Sequence, residues 1–147
     1  RKRPEHAKAC LAYRNGWIGE GMAFFPWPDA MDKARFAARW LDERMAQLGL
    51  PFEDRRIDFV GHDMLHGEAA PETDFDANEV GIRFAARTME REHAEVIRRE
   101  ITHLWTAGPV GASIGVPARV RPVVSLWPTL VPWDVAKPWT DQIRVGA

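Results

Sequence analysis

The alternation of apolar and polar residues predicts strands in several parts of the chain. The clearest lies near residues 80–87, where Val80, Ile82, Phe84 and Ala86 alternate with Gly81, Arg83, Ala85 and Arg87. This pattern predicts one apolar and one solvated face. Residues 17–25 also read as a strand, with Glu20 on one face and two glycines, Gly19 and Gly21, on the other. Residues 55–60 predict a further short strand, the second in chain order.

Apolar residues at steps of three and four predict two helices. Residues 29–48 carry a stripe that includes Ala34, Leu41 and Met45, with Asp29 placed to cap the start. The second helix, residues 89–105, carries its buried stripe at Ala94, Ile97, Ile101 and Leu104.

A last apolar stretch, residues 120–130, is interrupted by Pro122 and Pro128, which confine a strand to an edge or to a short piece. The predicted order is strand, helix, strand, strand, helix, strand. This order predicts an α+β, ferredoxin-like βαββαβ sandwich, an antiparallel sheet with two helices on one face. The domain would span residues 15–130, between a basic leader or remnant of an upstream domain at 1–14 and a tail at 131–147 that is rich in Trp and Pro.

Composition narrows the class of protein. The 147 residues include 20 Lys and Arg against 21 Asp and Glu, a net charge of -1 that gives no electrostatic reason to expect nucleic acid as a partner. The single cysteine, Cys10, cannot form an internal disulfide, which favours a reducing, cytoplasmic location. No apolar run is long enough for a membrane span, so we expect no membrane partner.

The first candidate site is the carboxylate of Glu20 between Gly19 and Gly21. The glycines let other groups approach closely, and a buried carboxylate near apolar surface would have a raised pKa suited to acid or base chemistry. The alternative is a Glu that faces solvent from a bulged strand.

The second candidate site follows the strand at 55–60 and contains His62, Asp63, His66 and Gly67. The two histidines and the carboxylate could form an acid/base pair, but without a helical frame or a second thiol we expect no metal site. The alternative is a turn in which Asp63 and His66 satisfy local backbone groups.

The third candidate site is the run of small residues that includes Gly108 and Gly111, after the second helix. Its backbone amides could bind an anion such as a phosphate or a carboxylate. It lacks the Gly-Lys-Ser/Thr of a P-loop. The alternative is an ordinary helix C-cap at Gly108.

Taken in order, three motifs resemble the acyclic terpene utilisation family of AtuA-type proteins. They are Gly-Trp-Ile-Gly-Glu-Gly at 16–21, Gly-His-Asp-Met-Leu-His-Gly at 61–67 and Gly-Pro-Val-Gly at 108–111. The resemblance covers residues 15–132. It implies a C-terminal part of a longer bacterial protein with an upstream α/β domain, in the breakdown of branched acyclic compounds through acyl-CoA intermediates. The sequence departs from the family pattern at 23–28 and at 111–115, where bulkier residues suggest a different ligand pocket or one that has been lost.

Two functions follow as hypotheses. In the first, the chain acts on a small carboxylic acid or acyl-CoA, with Glu20 and His66 transferring protons and Asp63 orienting His66. Gly19, Gly21, His62, Gly67, Gly108 and Gly111 would then line the ligand site. In the second, the chain is a non-catalytic module that docks an upstream domain, a partner subunit or a second copy of itself. The motifs identify no cofactor.

Overall fold

The computed structural model describes residues 4–71 and 77–136 of the chain. Some of the predictions above therefore lie outside the described residues. These are the predictions for the first three residues of the leader and for the tail from residue 137 onward; residues 72–76 lie outside the described residues as well.

Four strands and two helices form the described part of the chain, which confirms the predicted α+β class. Their order is β1, α1, β2, β3, α2, β4, with a single 3-10 turn between β2 and β3. The elements are β1 (His6–Pro26), α1 (Ala30–Gln47), β2 (Asp54–Val60), the turn (Gly67–Ala69), β3 (Glu79–Thr88), α2 (Arg91–Ala107) and β4 (Ser113–Pro132).

The strands form one sheet in the order β2-β3-β1-β4. β3 pairs antiparallel with both β1 and β2, and its register brings Glu20 of β1 and Arg56 of β2 level with Ala85. Arg83 lies level with Met22 and Asp58 in the same way. This register determines which side chains of three strands meet on one face.

The hydrophobic core lies between the sheet and the helices. In β1 the odd-numbered residues face it: Ala23 and Phe25 belong to the core cluster together with residues of α1 and α2. All four residues of the predicted α2 stripe are buried, as are Val80, Ile82, Phe84 and Ala86 of β3. The periodicity of these elements thus predicted the core correctly, because burial of apolar surface is what the periodicity reflects.

Two strands are longer than predicted. β1 begins at His6, so residues 6–14, predicted as a solvated leader, are mainly strand. β4 begins at Ser113 and contains Pro117, Pro122 and Pro128. It is an edge strand, as predicted, and an edge tolerates prolines because one side of the strand needs no donors.

Asp29 occupies the predicted N-cap position of α1, but its side chain does not cap the helix. Its backbone is left-handed, with φ 59°, and its side chain makes no capping hydrogen bond in the described structure. It adopts this conformation directly after the Trp27-Pro28 pair that turns the chain out of β1.

The chain divides into two compact units. The central unit, Asn15–Val123, contains both helices and all the core residues. The terminal unit consists of Arg1–Arg14 and Val124–Ala147, and its Trp133 Nε1 donates a 2.7 Å hydrogen bond to Pro4 O. Neither helix of the described residues is long and apolar enough to cross a membrane.

Candidate functional site: an arginine-rich sheet face

The face of the sheet turned away from the helices carries a network of charged side chains. We call it the open face. Its charged members alternate along each strand, as side chains on one face must. They are Asp54, Arg56 and Asp58 of β2, Arg83 and Arg87 of β3, Glu20 of β1, and Arg119 and Arg121 of β4.

Glu20 lies at the centre of this network. It is 6% exposed, and both carboxylate oxygens accept hydrogen bonds from arginines. Arg83 Nη2 donates to Oε2 at 3.0 Å, while Arg119 Nε and Arg121 Nε both donate to Oε1 at 3.0 Å. Charge-assisted hydrogen bonds of this kind are among the strongest in proteins.

The network continues through Arg83 toward β2. Arg83 Nη1 donates to Asp58 Oδ2 at 3.0 Å, and Asp58 Oδ1 accepts from Arg56 Nε at 2.5 Å. Arg83 is thus held between two buried carboxylates, Glu20 on β1 and Asp58 on β2. Its side chain is fixed in position on the sheet.

The environment of Glu20 determines its protonation state. Burial by itself raises the pKa of Glu20, but hydrogen bonds from Arg121, Arg83 and Arg119 outweigh burial and lower the pKa from 4.5 to about 2. The sequence hypotheses expected either a buried carboxylate with a raised pKa or an exposed one. Glu20 is instead buried and strongly acidic.

A cavity of about 280 Å³ lies on the open face, and we call it the arginine cavity. Arg87 Nη1 donates to Asn15 Oδ1 at 3.1 Å and to Asn15 O at 3.4 Å, which are neutral acceptors. The lining consists of Arg55, Arg56, Arg83, Arg87 and Asp54, with Ile18, Ala85 and Val123 as its apolar members.

A smaller cavity of about 60 Å³ also borders Arg83. Glu20, Gly21, Arg83 and Arg119 line it, together with Met22, Val116 and Pro117. Arg83 therefore borders both cavities.

The first predicted site is divided between the two faces of the sheet. Glu20 belongs to the open face, but a Cβ at Gly19 would lie 2.5 Å from Ala94 O, and one at Gly21 would lie 2.7 Å from Ile101 Cγ2. These glycines allow α2 to pack closely against β1. Gly21 also borders the smaller cavity.

The second predicted site forms the turn after β2. Asp63 Oδ1 accepts a 3.1 Å hydrogen bond from Phe59 N, and the amides of His66 and Gly67 donate to Asp63 O. His62 and His66 are exposed. The cavity beside Glu20 includes neither Asp63 nor His66, although Arg56 Nη2 of the open face lies 3.5 Å from Met64 O in this turn.

The third predicted site has at least two of its backbone amides already engaged, since Ala112 N donates to Pro109 O and Gly108 N is bonded as well. Gly108 N donates to Leu104 O at 3.0 Å as a helix C-cap, the alternative that the sequence left open. Gly111 has a positive φ of 86°, and a Cβ there would lie 2.8 Å from Pro26 Cγ. Gly111 thus serves a tight turn packed against the end of β1.

Sequence reasoning did not select the arginines of the open face. The i, i+2 spacing of Arg119 and Arg121 places them on one face of a strand, which is a usable signal. Arg83 and Arg87 were assigned to a solvated face, although Arg83 is 23% exposed. The spacing of these arginines indicates a common site only when the strand register is known, because the register aligns them with Glu20 and Asp58.

Comparison with known proteins gives one match. The family model described as "Acyclic terpene utilisation family protein AtuA" matches residues 1–140. No curated protein and no solved structure matched the chain.

Proposed function

Because the chain belongs to the acyclic terpene utilisation family AtuA, we propose that it binds the anionic group of a small carboxylic acid or of an acyl-CoA in the arginine cavity. Family membership indicates a role in acyclic terpene utilisation. We further propose that the fold is ferredoxin-like. The element order and the strand order β2-β3-β1-β4 support that assignment.

The lining of the arginine cavity is the observation that carries this proposal. Guanidinium groups bind carboxylate and phosphate oxygens with charge-assisted, often bidentate hydrogen bonds. Arg56, Arg83 and Arg87 line one cavity of about 280 Å³, and Arg87 donates its side-chain hydrogen bonds to neutral oxygens of Asn15. A bound anion would therefore supply the negative partner that Arg87 lacks among the described residues.

The apolar lining fits the rest of such a ligand. Ile18, Ala85 and Val123 give the arginine cavity hydrophobic surface beside its charges. Ligand sites commonly combine apolar walls with a few placed polar groups. A ligand with one charged head and an aliphatic chain matches both parts of this lining.

We assign Glu20 to positioning the arginines rather than to proton transfer. A carboxylate whose pKa is about 2 stays ionised at neutral pH and is a weak base there. Its contacts instead hold Arg83, Arg119 and Arg121 in place. Proton transfer by His66, oriented by Asp63, stays a prediction.

Isothermal titration calorimetry with octanoate and with acetyl-CoA tests the proposal. We expect Arg87→Gln to weaken binding of the probe about tenfold or more, because a charge-assisted hydrogen bond is lost. Arg99→Gln is the matched control: it removes an exposed guanidinium from α2, on the other side of the sheet. Absence of binding by both probes, or equal affinities for the wild type and Arg87→Gln, would overturn the proposal.

A second candidate function, docking of another domain or subunit, is supported by the terminal unit. Leu126, Trp127 and Leu130 of β4 are each more than 60% exposed, and Leu11 of β1 is 57% exposed. Exposed apolar groups of this size are commonly buried by a partner. Docking predicts that a partner shields these side chains and the backbone beside them.

A further inference from the structure

Arg119 and Arg121 form a basic pair on the open face outside the arginine cavity. Their side chains are 66% and 51% exposed. In the described part of the chain, each makes one hydrogen bond, from its Nε to the same oxygen of Glu20. The terminal Nη donors of both guanidinium groups therefore stay available to a ligand.

The carboxylates of the open face do not neutralise its arginines. Five arginines accompany three carboxylates, which leaves a net charge of about +2 on a chain whose total is -1. Glu20 alone accepts hydrogen bonds from three guanidinium groups. Like charges this close repel one another unless an anion accompanies them.

The two basic regions are connected through one fixed residue, Arg83. Arg83 borders the arginine cavity and also the 60 Å³ cavity, which Arg119 lines as well. One water needs roughly 10–15 Å³ of such space, so the smaller cavity has room for a group of several atoms. β3 and β4 flank β1 in the sheet, and two strand spacings amount to about 10 Å.

We propose that Arg119 and Arg121 form a second anion subsite, so that the ligand of the open face is a bis-anion with charged groups about 10 Å apart. This inference rests on the proposed function, in which Arg87 and its neighbours bind the first anionic group. A dicarboxylate and an acyl-CoA share this chemistry. A simple monocarboxylic acid fills one subsite and leaves the other empty.

Three probes of matched chemistry separate these cases in calorimetry of the full chain. Suberate carries two carboxylates on an eight-carbon chain, octanoate carries one on a chain of equal length, and glutarate carries two that are too close to reach both subsites. We expect suberate to bind about tenfold more tightly than either of the others, because it alone pairs both subsites.

Variants at the second subsite sharpen the test. Arg119→Gln and Arg121→Gln should each reduce the ratio of suberate to octanoate affinity several-fold. Both side chains are more than half exposed, so the fold should tolerate these changes, and circular dichroism checks that it does. The control Arg99→Gln should keep the wild-type ratio.

The outcomes distinguish failure of this inference from failure of the proposed function. Equal affinities for suberate and octanoate, or for suberate and glutarate, overturn the second subsite; octanoate binding that depends on Arg87 would still support the first. Absence of binding by every probe overturns both. Acetyl-CoA affinity that falls in Arg119→Gln as well as in Arg87→Gln would support an acyl-CoA as the bis-anion.

Discussion

At the scale of single residues, Glu20 shows how neighbours decide the chemistry of a side chain. Burial of a carboxylate usually raises its pKa, and a glycine-flanked, buried Glu would then suit acid/base chemistry. Three guanidinium groups reverse that direction and lower the pKa of Glu20 to about 2. The same residue therefore becomes an anchor for cations, and its contribution to stability depends on pH.

Glu20→Gln should remove a pH-dependent part of the free energy of unfolding. Because the folded pKa of about 2 lies below the ordinary value of 4.5, the wild type gains stability that is fully present above about pH 5 and lost as the pH falls toward 2. We expect the wild type to exceed the variant by on the order of 2 kcal/mol at pH 7, after allowance for solvent screening. Urea unfolding at several pH values between 2.5 and 7 measures the difference.

Glu43→Gln is the control for that series, because Glu43 is an exposed carboxylate on α1, on the helix side of the sheet. Its difference from the wild type should stay near zero at every pH. A Glu20→Gln deficit of the same size at pH 2.5 and at pH 7 would contradict the argument.

At the scale of elements, the sequence predicted one of the two surfaces that pack together, that of α2, better than the other, that of β1. The α2 stripe at Ala94, Ile97, Ile101 and Leu104 was predicted and is buried. The surface of β1 that packs against this stripe was harder to recognise from the sequence, because Gly19 and Gly21 carry no apolar side chain. Their role is to bring the β1 backbone close to α2, and that role appears only when the helix is in place.

Gly19→Ala should destabilise the central unit by about 1–3 kcal/mol, the usual cost of overpacking a core. The added Cβ would lie 2.5 Å from Ala94 O, a backbone atom that cannot rotate away. Gly67→Ala is a useful comparison, because its Cβ meets nothing within 4 Å and incurs a cost from its positive φ alone. Thermal unfolding should show the larger loss for Gly19→Ala, and the opposite ranking would refute close β1–α2 packing.

At the scale of the whole molecule, the two units differ in how they bury their side chains. All buried residues of the described chain belong to the central unit, and none of the described residues of the terminal unit is buried. A two-stranded ribbon without a buried face is marginally stable in water. Its backbone hydrogen bonds should therefore open at a lower free energy than those of the central sheet.

Hydrogen exchange tests this difference and the docking candidate together. In dilute solution we expect the amides of residues 6–14 and 124–132 to exchange at least tenfold faster than those of residues 80–88, which lie in a central strand. If a second copy docks on the terminal unit, protection of the first two segments should rise with protein concentration. Equal exchange in all three segments of the dilute protein would contradict the assignment of low local stability.

By itself, the sequence determined the α+β class, the two helices, the apolar faces of β3 and α2 and the family resemblance. These properties depend on periodicity and on motifs, which are local. The tertiary structure decided the site. Glu20, Asp58, Arg83 and Arg119 come from four different strands, and a register shift of one residue would turn a strand's side chains to the other face. The strand register arises from long-range pairing that no local pattern specifies. The grouping of charged side chains around Glu20 depends on that register.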